Sequence, residues 1–283
     1  AAIICLLCNI PFMQDYSVFL VLAISLCFGA VGFVDDFCKM KKKKNEGLTS
    51  IQKLMLQLAA SALFLYIMYR SGSMNCHLYI PFVNVTFEIH PIAYIFFAMF
   101  VMVGCDNAVN PTAGIDGASG TVTTPAMVFF AVAAYMKGQM DMALLPASLA
   151  GGLVAYLFYN WHPAKVFMGD TGSLMLGGVL AVFAIIIRKE ILLILFCGVY
   201  LVESLSVMLQ VGYFKHTKRK TGVGKRIFKM TPLHHHFQKA GNAGIDALIQ
   251  KPLIPIPESK IVFRFWLITI ILTVLAIITL KLR

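Results

Sequence analysis

The stretch SVFLVLAISLCFGAVGFV, Ser17–Val34, carries no charge and stops on the acidic pair Asp35-Asp36, followed by Phe37-Cys38-Lys39 and the basic run Lys41–Lys44. Crossing about 30 Å of hydrocarbon takes roughly 20 helical residues, so this run predicts a membrane span with two carboxylates at its mouth. Seven further apolar runs follow: Leu54–Arg70, Ile92–Cys105, Val122–Tyr135, Leu144–Tyr159, Leu174–Ile187, Ile191–Tyr213 and Ile261–Leu280. Several are slightly short and must recruit flanking residues or tilt. With an apolar stub at Ile3–Ile10, they predict an all-α integral membrane protein. Its architecture is a polytopic helical bundle of eight full spans plus an N-terminal partial span, forming one domain over 1–283.

Composition agrees with that reading. A chain that is 59% hydrophobic and 13% charged, with a mean hydropathy of +0.80, is not a soluble globular domain. The stub has neither a basic leader nor a small-residue cleavage site, so it does not read as a signal peptide. Cys5 and Cys8 form a C-x-x-C with no second pair to complete a zinc site, and the other cysteines are scattered. Buried free thiols are the expectation.

A net charge of +11 suits a nucleic-acid partner, but its distribution favours a membrane topology instead. Alternating spans place 37–53, 107–121, 160–172 and 214–260 on one face, and with Arg264 that face holds eighteen of the twenty-four Lys and Arg residues. The positive-inside rule makes it cytoplasmic, and its cations attract anionic membrane lipids. No nucleic acid is expected. On the other face, the alternation of Tyr79, Pro81, Val83, Val85 and Phe87 predicts a small extracytoplasmic β-hairpin at 78–88, with Asn84 near the turn. No internal repeat supports an inverted-repeat transporter.

Asp35, Asp36, Asp106, Asp116 and Asp170, five of the thirteen acids, lie at or just beyond the ends of apolar runs. A carboxylate at the bilayer centre costs roughly 2.5–3.5 kcal/mol, so this placement needs a reason. Four clusters frame it. In the first, Asp35 and Asp36 lie one helical turn from Lys39. Two adjacent carboxylates repel unless a cation intervenes, so either Mg2+ joins them or one remains a base; an interfacial cap with snorkelling lysines is the bland alternative. The second, NAVNPTAGIDG at Asn107–Gly117, offers Asn107, Asn110 and Asp116 on tight turns and is weak alone, since such residues also make ordinary loops. The third, FMGDTGS at Phe167–Ser173, opens a span: Thr171 or Ser173 would cap it, its N-terminus favours phosphate, and Asp170 has an N-cap reading of its own. The fourth, PLHHHF at Pro232–Phe237, holds consecutive His234, His235 and His236, which rarely converge on a transition metal and more readily donate hydrogen bonds to phosphate.

In this order on one face, the clusters resemble the polyprenyl-phosphate N-acetylhexosamine-1-phosphate transferase superfamily, and PLHHHF favours its muramoyl-pentapeptide branch. The resemblance implies a Mg2+-dependent enzyme of the bacterial cytoplasmic membrane, its active site facing the cytoplasm. It would pass phospho-N-acetylmuramoyl-pentapeptide from UDP-N-acetylmuramoyl-pentapeptide (UDP-MurNAc-pentapeptide) to undecaprenyl phosphate, giving lipid I and UMP. Carried over position by position, Asp170 ligates Mg2+, Asp35 binds or deprotonates the lipid phosphate, and Asp36 orients phosphate or metal. Asn107, Asn110, Asp116, Asn160 and Phe167 form the donor pocket, with Phe167 stacking on uracil. Lys39, Lys43 and Lys53 attract phosphates, and His234, His235 and His236 hold sugar-phosphate or pyrophosphate oxygens.

The chain departs from the family pattern at Ala113, where an Asp is usual, at Asp106, and along Gly117–Gly120. By the same resemblance, the family's first helix and an early Gly-rich loop are missing. Three other readings stay open: the sister transferase acting on UDP-N-acetylglucosamine, a lipid transporter or flippase, and an inactive member that only binds. A homodimer also stays open, since no small-xxx-small seam argues for one.

Overall fold

A computed structural model describes residues 17–42, 47–81, 83, 85–241 and 244–281. The Ile3–Ile10 stub, Cys5, Cys8, Lys43 and Asn84 lie outside them. Helices α1 (Ser17–Lys42) and α2 (Ser50–Arg70) lead to strands β1 (His77–Ile80) and β2 (Val85–Glu88), which pair antiparallel with Leu78 opposite Phe87. Then come α3 (Pro91–Thr112), α4 (Ala118–Met136), α5 (Met140–Asn160), α6 (Gly169–Ile187), α7 (Glu190–Phe196) and α8 (Gly198–Thr221). A small lobe follows, made of β3 (Arg226–Phe228), α9 (Leu233–Gln238) and β4 (Ala247–Ile249), with β3 and β4 parallel. Helix α10 (Glu258–Lys281) completes the order.

Seven of these helices, α1 to α6 and α10, are long and apolar enough to cross a membrane. Together they make a multi-pass membrane protein. The run Ile191–Tyr213, expected as a span, is not continuous: α7 and α8 meet at 82°, so this is one broken span or a re-entrant element. The break falls at Cys197–Gly198, where a side chain at 198 would sit 3.0 Å from Leu272 of α10. The run contains no Pro, so tertiary packing sets the bend.

The bundle holds together through close helix contacts. Helices α1 and α6 pack along a seam of glycines: a Cβ at Gly32 would run into the Asp170 carbonyl, and one at Gly178 would lie 2.7 Å from the Phe28 ring. Small residues let backbones approach where no water drives association. In the half of the bundle away from the motifs, the rings of Phe129, Phe130, Phe183 and Phe196 pack at 4.5–5.6 Å, in a mixture of edge-on, tilted and stacked geometries. At that end Tyr94 donates to Glu190 at 2.7 Å and Lys137 to the Ile187 carbonyl at 2.6 Å. Phe96, Phe100 and Phe158 remain exposed, as expected of side chains facing lipid.

Candidate active site

Alternation of the helices brings the ends of α1, α3 and α5 together with the starts of α2, α4, α6 and α10. Gly32 decides the geometry. Because it has no side chain, α1 presses its backbone on the first turn of α6, and the next turn delivers Asp35 and Asp36 beside Asp170. Carboxylate oxygens of these three residues lie within 4.8 Å of one another.

Two ammonium groups sit among them. Lys39 Nζ is 2.6 Å from Asp35 Oδ2, 2.9 Å from Asp170 Oδ2 and 3.5 Å from Asp36 Oδ1. Lys53 Nζ is 2.8 Å from Asp170 Oδ2 and 3.3 Å from Asp35 Oδ2. Lys53 owes its place to a capping box: Thr49 caps α2, exchanging bonds with Gln52, so Lys53 stands in the first turn. Asp35 is almost fully buried, and its other oxygen accepts from Leu48 N–H at 2.7 Å. Asn110 donates to Asp170 Oδ1 at 2.8 Å and to Ser173 Oγ at 3.0 Å.

The start of α6 is capped differently from the expectation at Thr171 or Ser173. Asp36 Oδ2 accepts from both the backbone N–H and the hydroxyl of Thr171 at 2.9 Å, and Gly169, at φ +64°, leaves room for that carboxylate. A side chain from α1 therefore occupies the helix N-terminus, where an anion is favoured.

A second group lies around Asp116. Its Oδ2 is 3.0 Å from His162 Nδ1 and accepts from Ala164 N–H at 3.0 Å, while its own N–H donates to Glu258 Oε1 at 2.6 Å. Asn160 accepts from Gly117 N–H at 2.9 Å and donates to the Val166 carbonyl at 2.8 Å. These bonds hold the 160–168 loop, which carries Phe167 72% exposed. The sequence grouped Asn110 with Asp116 and Asn160, but the structure places Asn110 in the acid–lysine knot and the other two in this loop frame. Asn107 joins neither: it donates to Gln57 at 2.8 Å and to the Val103 carbonyl at 2.8 Å.

The three histidines divide. His234 is fully buried, its N–H and Nδ1 both on the Glu203 carboxylate at 3.1 and 2.9 Å, with Nε2 towards Gly114 of the second cluster. His236 Nδ1 accepts from Lys229 N–H at 3.1 Å; burial and the neighbouring Lys229 hold its pKa below the ordinary 6.5, against a bond to the Lys251 backbone. His235 alone is half-buried, its Nδ1 2.8 Å from Gln238 Oε1. The ring Nδ1 atoms of His234 and His236 serve the protein's own lobe, while His234 Nε2 is buried with no hydrogen-bond partner. Gln57, Glu203 and Glu258 lie outside the motifs and were missed. A lone acid inside an apolar run was the available signal for Glu203.

The oxygen-only donor set of Asp35, Asp36 and Asp170 suits a hard divalent cation such as Mg2+, and Lys39 Nζ already stands among them as a positive charge. The arrangement concentrates cations and carboxylates at one end of the bundle, charges of the kind that phosphoryl transfer uses.

Comparison with known proteins places this geometry. The model of "Glycosyl transferase family 4" matches residues 18–188, more than half of the chain. A phospho-N-acetylmuramoyl-pentapeptide-transferase of Parabacteroides distasonis is 40% identical, over 96% of this chain and 78% of its own length. One from Desulfotalea psychrophila is 42% identical over 94% and 73%, and one from Streptococcus pyogenes 45% over 79% and 66%. The chain belongs to glycosyl transferase family 4 and to the phospho-N-acetylmuramoyl-pentapeptide-transferases.

Proposed function

We propose that this protein transfers phospho-N-acetylmuramoyl-pentapeptide from its UDP donor to undecaprenyl phosphate, yielding lipid I and UMP at the cytoplasmic face of the membrane. The convergence of Asp35, Asp36 and Asp170 on Lys39 and Lys53 carries the reading. An oxygen of the lipid phosphate attacks the sugar-bearing phosphorus of the donor. The new P–O bond forms as the bond to the bridging oxygen breaks, and UMP leaves with that electron pair. A phosphate monoester has its second ionisation near 6, so at neutral pH most of the acceptor already carries its nucleophilic charge. Asp35, buried between two ammonium groups, therefore seats Lys39 and Lys53 rather than removing a proton. Those lysines meet phosphate oxygens, and Asp36 keeps the α6 terminus fixed through Thr171. A bound Mg2+, held by Asp170 with its neighbouring carboxylates, would supply charge neutralisation at the diphosphate. The loop framed by Asp116 and Asn160 carries the exposed Phe167, which would stack on uracil, and the half-buried His235 would meet the donor.

The orientation rests on the excess of lysine and arginine at the motif face. To test the activity, radiolabelled donor and undecaprenyl phosphate are incubated with the solubilised protein with and without Mg2+, then extracted into organic solvent. Label should enter the organic phase, with UMP released, only when the ion is present. Asp170→Asn and Asp35→Asn should each lower turnover by roughly 100-fold or more, the scale of losing one preorganised electrostatic group. Near-normal turnover in both variants eliminates the assignment.

A further inference from the structure

We propose that Asp106, acting through Gln57, is a positioning residue that sets Lys53 and Asn110 on Asp170; the inference rests on the acid–lysine knot being the reaction centre. Asp106 is fully buried within α3 and takes no part in the knot. Its Oδ2 accepts from Gln57 Nε2 at 2.6 Å, and Gln57, also fully buried, accepts in turn from Asn107 Nδ2 at 2.8 Å. Asp106 Oδ1 is buried with no hydrogen-bond partner. Burying a carboxyl group that is only half satisfied is unfavourable next to a well-packed apolar pair. Packing alone therefore gives no reason for this residue.

Register gives one. Gln57 stands one helical turn beyond Lys53 on α2, Asp106 one turn before Asn110 on α3, and Gly177 two turns beyond Asp170 on α6. In three dimensions the same residues meet: a Cβ on Gly177 would lie 2.5 Å from Asp106 Cα and 3.0 Å from its Oδ1. Gln57, Asp106 and Gly177 thus form a layer that joins α2, α3 and α6 directly beneath the layer of Lys53, Asn110 and Asp170. The Gln57–Asp106 bond ties α2 to α3, and the bare Gly177 backbone brings α6 against them. A helix that slips by one residue turns by about 100° and rises 1.5 Å, enough to carry Lys53 or Asn110 off Asp170.

The test uses the full chain in detergent, reading kcat, donor KM, the thermal unfolding midpoint, and Mn2+ binding by electron paramagnetic resonance, with Mn2+ as the probe. Asp106→Leu and Gln57→Met should each lower kcat roughly 10- to 100-fold, the scale of a misplacement near 1 Å, and weaken Mn2+ binding several-fold. Donor KM should stay within about threefold. Asp106→Asn, which keeps an acceptor oxygen for Gln57, should stay within about threefold of wild type. The double variant should be no worse than the worse single one, because the two residues act as one link. A folded Asp106→Leu protein with wild-type kcat and Mn2+ affinity overturns the proposal. So does an Asp106→Asn protein that falls as far as Asp106→Leu, or a double variant whose losses multiply. If Asp106→Leu does not fold, Gln57→Met and Asp106→Ser carry the same expectations and the same refutations. A wild-type protein that neither releases UMP nor binds Mn2+ sinks the functional reading instead.

Discussion

Replacing Gly32 by alanine tests the seam on which the site is built. A Cβ at this position would press on the Asp170 carbonyl and lie 2.7 Å from Thr171 Cα, both backbone atoms of the first turn of α6. Ordinary contact begins near 3.4 Å, so clearing Thr171 Cα alone takes about 0.7 Å of separation between α1 and α6, and clearing the nearer Asp170 carbonyl takes more. Neither neighbour is a flexible side-chain tip that could swing aside. One turn further on, the shift reaches Asp35, Asp36 and Lys39, and with them the 2.9 Å contacts of Lys39 with Asp170 and of Asp36 with Thr171 N–H. A misplacement of 1 Å costs on the order of 100-fold in rate, so turnover should fall roughly 10- to 100-fold. Overpacking of this kind destabilises by about 1–3 kcal/mol, which leaves a folded protein with a lowered unfolding midpoint. The assay is UMP release per folded molecule. Gly104→Ala is the control: nothing lies within 4 Å of a Cβ there, and its turnover should be unchanged. A Gly32→Ala protein within twofold of wild type, with an unshifted midpoint, would refute the claim that this contact aligns the acids.

Two further outcomes follow from the small lobe. Glu203→Gln keeps one acceptor for His234 but exchanges charge-assisted bonds for neutral ones, a loss of about 1–2 kcal/mol, read as a lower unfolding midpoint; an unchanged midpoint would mean the Glu203–His234 pair adds nothing to the fold. The lowered pKa of His236 has a defined sign. The unfolded chain binds the proton first, so stability falls as pH drops through 6.5 towards the folded value, and His236→Asn, which still offers an acceptor to Lys229 N–H, should flatten the midpoint's dependence between about pH 7.5 and 5.5. An equally steep dependence in that variant would discount His236.

Much of this was legible in the residues. Uncharged runs ending on Asp35, Asn107–Gly117 and Phe167–Ser173 mark both the spans and the face where they converge, because hydropathy and charge act locally along the chain. The 82° bend at Cys197 was not legible, since the run Ile191–Tyr213 keeps its apolar character through the break and contains no Pro. Nor were the roles of Gln57 and Glu258, which depend on partners 49 and 142 residues away in sequence. The histidine run shows the same limit. Three identical neighbours look equivalent, yet the α9 turn points His234 at Glu203 and His236 at the Lys229 backbone, leaving His235 between them.

The knot of Asp35, Asp36, Asp170, Lys39 and Lys53 has an electrical consequence. Counted as three carboxylates and two ammonium groups, it carries one excess negative charge, which by itself disfavours the approach of another anion. A dication entering the same space reverses that sign. Under the proposed transfer, a nucleotide diphosphate and its counter-ion would each make the other's arrival favourable, and ammonium groups loosened from their carboxylates would be able to swing to the newcomer.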